Sequence, residues 1–421
     1  MTQLAGLGRD ELHVMAMVLA GGQGTRLLPL TLDRAKPAVP FGGTYRLIDF
    51  VLSNLVNSGL RKIVVLTQYK SHSLDRHIAQ MWRLSPMLGN YVANVPAQMR
   101  LGPRWFLGSA DAVFQNLNLI NDEKPEYICV FGADHIYRMD AMGMLRHHIQ
   151  SGAGITLAGI PVPVGEASAF GIIEGDEEGH VRSFVEKPHA PKPLPHDPSR
   201  AYASMGIYIF TTSALVEAVS RDSSDDGSRH DLGGSIVPML VDQGQAGVYD
   251  FNTNRVPGVS GREAGYWRDV GDLDSYYQAS MDLLALEPPF NLYNQDWPIY
   301  SWLPPVPPAK FVHDEDGRRG MALNSLVSSG VIVSGGQVRR SILSPGVVVH
   351  SHAEVEGCVL MDGVDVGGGA KLRNAVIDKG VRIPPGATLG YDLAADRERL
   401  HVTPGGIVAI GKGQSLGALP A

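Results

Sequence analysis

A 17-residue periodicity in the C-terminal quarter of the chain constrains its fold more than any other feature. Leu326, Leu343, Leu360 and Ile377 recur at that interval, as do Ile332, Val349, Val366 and Ile383. Val338, Val355, Leu372 and Leu389 make a third series. All twelve positions are aliphatic, and successive positions are six, six and five residues apart. Three short strands per turn, each sending one aliphatic side chain inward, would stack these positions into columns. That is a parallel β-helix, a solenoid whose coils bury one another. An ordinary antiparallel β-domain would reproduce the spacing only by repeated coincidence. Gly335, Gly336, Pro345, Gly346, Gly367 to Gly369, Pro384, Pro385 and Gly386 suit the tight corners.

The preceding residues carry a different pattern. Short apolar runs at 14–20, 62–67, 127–131, 155–160 and 206–210 read as strands. Between them, 49–58, 71–83, 109–120 and 142–150 have helical spacing. This alternation predicts an α/β domain with a mainly parallel, Rossmann-like sheet and helices on both faces. Ligands in such sheets bind beyond the carboxyl ends of the strands. Pro288, Pro289, Pro298, Pro304, Pro305, Pro307 and Pro308 then mark a connector that cannot be continuous helix. The expected division is 1–286, 287–320 as connector, and 321–421 as solenoid.

With 421 residues, 44% of them hydrophobic and 19% charged, the chain can bury two cores. A formal net charge of -7 argues against non-specific binding to nucleic acid or anionic membrane. It does not describe a local phosphate pocket. Cys129 and Cys358, the only cysteines, sit in apolar runs and read as buried free thiols. The N-terminus lacks a signal-peptide pattern, and no apolar run reaches the roughly 18 residues of a membrane span. A cytoplasmic location is expected.

The first strand runs into Gly21-Gly22-Gln23-Gly24-Thr25-Arg26-Leu27, with Lys36-Pro37 further on. Glycines at a strand end let backbone N–H groups approach phosphate oxygens. A glycine triplet alone reads equally well as a structural turn, but Arg26 and Lys36 add cations suited to a polyphosphate. The loop is neither GxGxxG nor a Walker A sequence. Asp134, just past the 127–131 run, is as well suited to capping a helix as to holding a metal. The histidines His135, His147, His148, His350 and His352 form no metal-binding pattern and read as surface or cap residues.

These motifs resemble the sugar-1-phosphate nucleotidylyltransferases. Several segments narrow the resemblance to the bacterial-type ADP-glucose pyrophosphorylases. They are Arg34-Ala35-Lys36-Pro37-Ala38-Val39, Leu52-Ser53-Asn54, Thr67-Gln68-Tyr69-Lys70-Ser71-His72, Gly108-Ser109-Ala110-Asp111, Ala133-Asp134-His135-Ile136-Tyr137, Phe184-Val185-Glu186-Lys187-Pro188 and Tyr266-Trp267-Arg268-Asp269-Val270-Gly271. The likeness extends into the solenoid, which it implies is left-handed.

The resemblance implies transfer of an adenylyl group from ATP to glucose 1-phosphate, giving ADP-glucose for glycogen synthesis. It implies Arg26, Lys36, Asp134, Lys187 and Asp269 as catalytic residues, with Mg²⁺ on Asp134 and Asp269. Gly21, Gly22, Gly24, Thr25, Gln68, Phe106, Gly108, Ser109 and Asp111 would bind the nucleotide. Gly171, Glu186, Lys187, Ser204 and Trp267 would bind the sugar phosphate. A homotetramer and an anionic allosteric effector are also implied.

The chain departs from the family pattern in two places. Phe106 stands where many members have tyrosine, which removes a hydroxyl. Asp33 and Pro40 replace basic effector-binding residues, while Arg46 is kept; Lys371 and Arg373 are further candidate anion contacts. The competing readings are a UTP- or dTTP-dependent enzyme, a non-catalytic regulatory subunit, and an acyltransferase built on the solenoid.

Overall fold

The structure is a computed structural model that describes residues 12–98, 102, 104–176, 179–259, 261–315 and 317–414. Residues 1–11, read above for a targeting signal, lie outside the described residues.

Nine strands build the first sheet: β1 Val14–Ala20, β2 Lys62–Thr67, β3 Tyr91–Pro96, β4 Tyr127–Gly132, β5 Ile155–Pro163, β6 Gly171–Gly175, β7 Val181–Glu186, β8 Arg200–Thr211 and β9 Ala246–Asp250. Their order is β7-β6-β8-β4-β1-β2-β3, with β5 pairing β8 and β9. The run β4-β1-β2-β3 is parallel throughout. β8 reverses direction and lies antiparallel to β4, β5 and β6, so the parallel core continues into an antiparallel half. Alternation along β1 shows that both faces are covered: Ala16 and Val18 join one core cluster, Met15 and Met17 the other.

The helical spacing at 109–120 resolves into two helices, Ser109–Phe114 and Leu117–Glu123. The break falls at Asn116, whose side-chain amide donates back to the Ala112 carbonyl at 2.8 Å. Such local bonding competes with helix continuation.

The solenoid has three parallel faces, and its first strand is Lys310–Val312, inside the span read as connector. Ten of the twelve column positions keep the 17-residue register; Leu326 and Ile332 do not. The first coil is one residue shorter, so Val327 pairs with Leu343 and Val333 with Val349. A one-residue slip exchanges the two faces of a strand. Val333 is accordingly buried, while Ile332 is 39% exposed. Leu326 turns outward and packs on the cluster between solenoid and sheet domain.

That cluster joins Leu27, Leu30, Phe41, Phe50 and Ile136 to Ile342, Val359 and Val376 of the solenoid. Burial on both sides explains why Ile342–Leu343 and Val359–Leu360 are apolar at consecutive positions. The connector is held against the helix Leu47–Asn57. Asn57 donates to Pro298 O at 2.9 Å, Ser53 Oγ accepts from Tyr300 N at 2.9 Å, and Asp49 accepts from Ser301 Oγ at 2.7 Å.

Candidate active site

The cleft lies beyond the carboxyl ends of β1 and β4, where the strand order turns over. After β4 the chain does not enter a helix. It forms a short strand, His135–Tyr137, paired antiparallel with Trp267–Asp269 so that Asp269 faces His135. Asp134 is therefore not a helix cap. This ribbon brings together two carboxylates that are far apart in sequence. Ligand atoms of Asp134, His135 and Asp269 all lie within 4.8 Å of one another. Lys36 reaches into the same space, with Nζ 2.6 Å from Asp134 and 3.9 Å from Asp269. Burial would raise the Asp134 pKa, but the Lys36 and His135 charges outweigh it and hold the carboxyl at about 2. Both aspartates remain partly open to the cleft, at 32% and 22% side-chain exposure.

A cavity of about 210 Å³ extends from this cluster and is lined by Arg26, Lys36, Asp134, Glu186, Lys187 and Asp269, together with Gly171 and Ser204. Arg26 makes no ion pair among the described residues. Lys187 follows β7 with φ 47, a left-handed conformation that L-residues adopt at some cost. Its ammonium lies 2.9 Å from Glu186. β8 carries a register shift between Ser204 and Tyr208, with Gly206 at φ 66 inside it. The bulge directs Ser204 and Tyr208 into the cavity. Gly171 leaves room for packing: a Cβ there would come within 2.3 Å of the Phe184 ring and 2.8 Å of Glu186.

A second cavity, of about 420 Å³, opens on the other side of the glycine loop and is lined by Gly21, Gly22, Gln68, Phe106, Gly108 and Ser109. The glycines have separate physical reasons. A Cβ on Gly22 would meet nothing within 4 Å, so its backbone faces open space. Gly24 has φ 64, and a Cβ there would press on Lys36 and Thr31 at 3.0 Å. Gly108 packs against the loop around His230. Gln68 accepts from Phe106 N at 2.6 Å, which leaves its amide N–H groups for the cavity.

The structure moves some expected contacts away from ligand space. Asp111 is 4% exposed and accepts from Leu107 N and Gln115 Nε2, both at 2.8 Å, so it braces the turn instead of facing the second cavity. Ser109 Oγ is engaged by Asp231 and by Leu232 N. Thr25 is exposed in the turn Thr25–Leu27 and lines neither cavity. Trp267 stands behind the first cavity, its ring 5.3 Å from His135 and 5.1 Å from Phe170. Arg373 does not join Arg46. It pairs with Glu356 at 3.2 Å and stacks over Tyr391, and Lys371 likewise pairs with Glu354 at 3.1 Å. Arg46 instead shares a cavity of about 310 Å³ with Arg76 and Lys379.

His135 and Tyr208 are the site residues that sequence reasoning missed. Their signal was positional: His135 directly follows Asp134, and Tyr208 lies four residues after Ser204 on one strand.

Two carboxylates and an imidazole around an open side, with cations on two flanks, suit a divalent metal with phosphate oxygens completing its shell. A metal fits the donor set, and a polar cavity extends from it.

The "Nucleotidyl transferase" family model matches residues 15–285, and the "GlmU-like, C-terminal hexapeptide" model matches 307–410. A glucose-1-phosphate adenylyltransferase of Parafrankia sp. (strain EAN1pec) is 60% identical over 407 residues, 96% of this chain and 98% of its own length. Another, from Mycolicibacterium smegmatis, is 60% identical over 405 residues, covering 96% and 99%. One from Streptomyces coelicolor is 61% identical over 402 residues, covering 95% and 99%.

Proposed function

The chain belongs to the glucose-1-phosphate adenylyltransferases, and we propose that it makes ADP-glucose by direct, in-line displacement at the α-phosphorus of ATP. A phosphate oxygen of glucose 1-phosphate attacks, the bond to the β-phosphate oxygen breaks, and pyrophosphate leaves. The attacking oxygen is already anionic near neutral pH, so no general base is needed. The protein's task is positioning and charge neutralisation.

One observation carries the reading: Arg26, Lys36, Asp134, Asp269, Glu186 and Lys187 converge on one cavity, and the glycine loop that leads to Arg26 lines a second. Lys187 aligns the attacking phosphate, and Glu186 accepts from sugar hydroxyls. Arg26 and Lys36 stabilise the leaving pyrophosphate. Enzymes of this family work with a divalent metal. We assign Mg²⁺ to Asp134 and Asp269, where it would neutralise charge on the α-phosphate. Lys36 Nζ lies 2.6 Å from Asp134 and 3.9 Å from Asp269, so its ammonium is placed to reach phosphate oxygens held beside those carboxylates.

The test is a nucleotide panel with glucose 1-phosphate and Mg²⁺, read as pyrophosphate release. ATP is expected to be preferred; a preference for UTP or dTTP would reject the adenine assignment. A homotetramer, a cytoplasmic location and an anionic effector in the Arg46, Arg76 and Lys379 cavity complete the proposal. Among the described residues, no helix is long and apolar enough to cross a membrane.

A further inference from the structure

Two segments bring charged groups to the cleft from the solenoid side. One runs from the glycine loop through Arg34 to Lys36; the other runs from Asp269 into the helix Leu273–Asp282. Each is tied to the last coils of the solenoid through a carboxylate. Arg34 is 5% exposed, and its Nη2 donates at 2.8 Å to both oxygens of Asp378, itself 1% exposed. Asp378 also accepts from the backbone N–H groups of Lys379 at 2.7 Å and Lys412 at 3.3 Å. Solenoid backbone therefore sets where this carboxylate sits. On the second segment, Asp274 accepts from the Thr403 hydroxyl and from Gly405 N at 3.1 Å.

Neither contact touches a reacting group. Only Ala35 separates Arg34 from Lys36. It is extended (φ -63, ψ 146), and its N–H donates to Lys70 O at 3.2 Å. Two residues of extended backbone span about 7 Å and leave little slack. A buried ion pair is poor evidence for stability, since an apolar pair of like volume often packs as well. What the pair adds is location: Nη2 donates to both Asp378 oxygens while Nη1 points to Met361 Sδ at 4.0 Å, so the buried guanidinium is held from two sides by the solenoid.

We infer that Asp378 is a positioning residue for the transfer reaction: through Arg34 it holds Lys36 in register with Asp134 and Asp269. The solenoid thereby sets the geometry of the cleft, with the Asp274 contacts to Thr403 and Gly405 fixing the second arm. The inference rests on the adenylyl transfer proposed above.

The deciding variant is the double substitution Arg34→Met with Asp378→Leu, which removes both charges and keeps the interface filled. Three results are expected: a thermal midpoint close to wild type, a ten- to hundredfold fall in kcat for pyrophosphate release, and a KM for glucose 1-phosphate within twofold. The rate loss follows from a displacement of about 1 Å at Lys36. The KM should hold because Glu186 and Lys187 belong to the β7 end of the sheet, not to the clamped segments. A folded double variant with kcat within twofold of wild type overturns the inference. So does one whose sugar-phosphate KM rises in step with the fall in kcat, which signals general loosening. Should the double variant fail to fold, near-isosteric Asp378→Asn is judged by the same split. Failure of the wild-type protein to release pyrophosphate from ATP and glucose 1-phosphate would count against the reaction itself, not against the clamp.

Discussion

Gly108→Ala separates packing from ligand contact at the cavity proposed for the nucleotide. A Cβ on Gly108 would lie 2.2 Å from the His230 carbonyl oxygen and 2.7 Å from that of Arg229, both backbone atoms. Ordinary contact begins near 3.4 Å, so the two segments must part by about 1.2 Å. That motion stretches the Ala110 N–H to His230 O bond from 2.8 Å to about 4 Å, beyond hydrogen-bonding range. The Asp111 N–H bond to the same oxygen and the Leu232 N–H bond to Ser109 Oγ are strained with it. Three bonds at about 1 kcal/mol each place the loss near 3 kcal/mol, at the upper end of the usual cost of overpacking. Urea unfolding reads the stability, and steady-state kinetics with ATP as the varied substrate read the cavity. The expected outcome is a loss of about 3 kcal/mol, an ATP KM raised tenfold or more, and an unchanged KM for glucose 1-phosphate. A variant as stable as wild type would refute the packing argument, even if its ATP KM rose.

Asp134→Asn should lower kcat by roughly 10²–10³ with the fold intact; near-normal pyrophosphate release would remove this carboxylate from the site. Lys187→Ala should chiefly raise the KM for glucose 1-phosphate, and an effect confined to the ATP KM would place Lys187 on the wrong substrate. In the first coil, Val333→Ala should cost about 2 kcal/mol and Ile332→Ala almost nothing; equal losses on urea unfolding would restore the strict 17-residue register. Burial, reinforced by the His147 charge, holds the His148 imidazole at about 4, whereas the unfolded chain takes up that proton near 6.5. Its contribution is therefore complete above pH 6.5 and is lost as pH falls towards 4, by up to about 3 kcal/mol. His148→Gln should flatten the stability profile between those pH values, and an unchanged slope there would exclude His148 as its source.

The solenoid was legible because its rule repeats: each coil restates which residues point inward, and an error in one coil is outvoted by the others. The same averaging hid the short first coil. Ile332 and Val333 are both aliphatic, and only the pairing of Val333 with Val349 shows which one is inside. Strands β1 and β2 were equally plain, being continuous apolar runs covered on both faces. The cleft had no such redundancy. Asp134 read as cap or ligand until the His135–Tyr137 ribbon set it beside Asp269, a pairing that no local pattern encodes. Asp111 and Trp267 carried no mark of pointing away from the ligand space: Asp111 turns back to Leu107 N and Gln115 of its own segment, and Trp267 is set by the distant rings of His135 and Phe170. Arg373 looked free for an anion in sequence, yet coil stacking puts Glu356 beside it.

The distribution of hydrogen-bonding partners explains why the glycine loop, and not the helix Ser109–Phe114, is suited to the phosphates. A helix N-terminus is an anion site only while its N–H groups are free. Here the Ala110 and Asp111 N–H groups both donate to the His230 carbonyl, and the Asp111 carboxylate supplies negative charge in the same turn. An arriving phosphate would have to displace a backbone acceptor and approach a carboxylate. At the glycine loop the backbone of Gly22 faces open space, Arg26 is unpaired among the described residues, and Lys36 is the nearest ammonium to both aspartates. On the reading proposed above, the charge of the polyphosphate would be met beside the Asp134 and Asp269 carboxylates, and the Gly108–Ser109 turn would shape the cavity for the base.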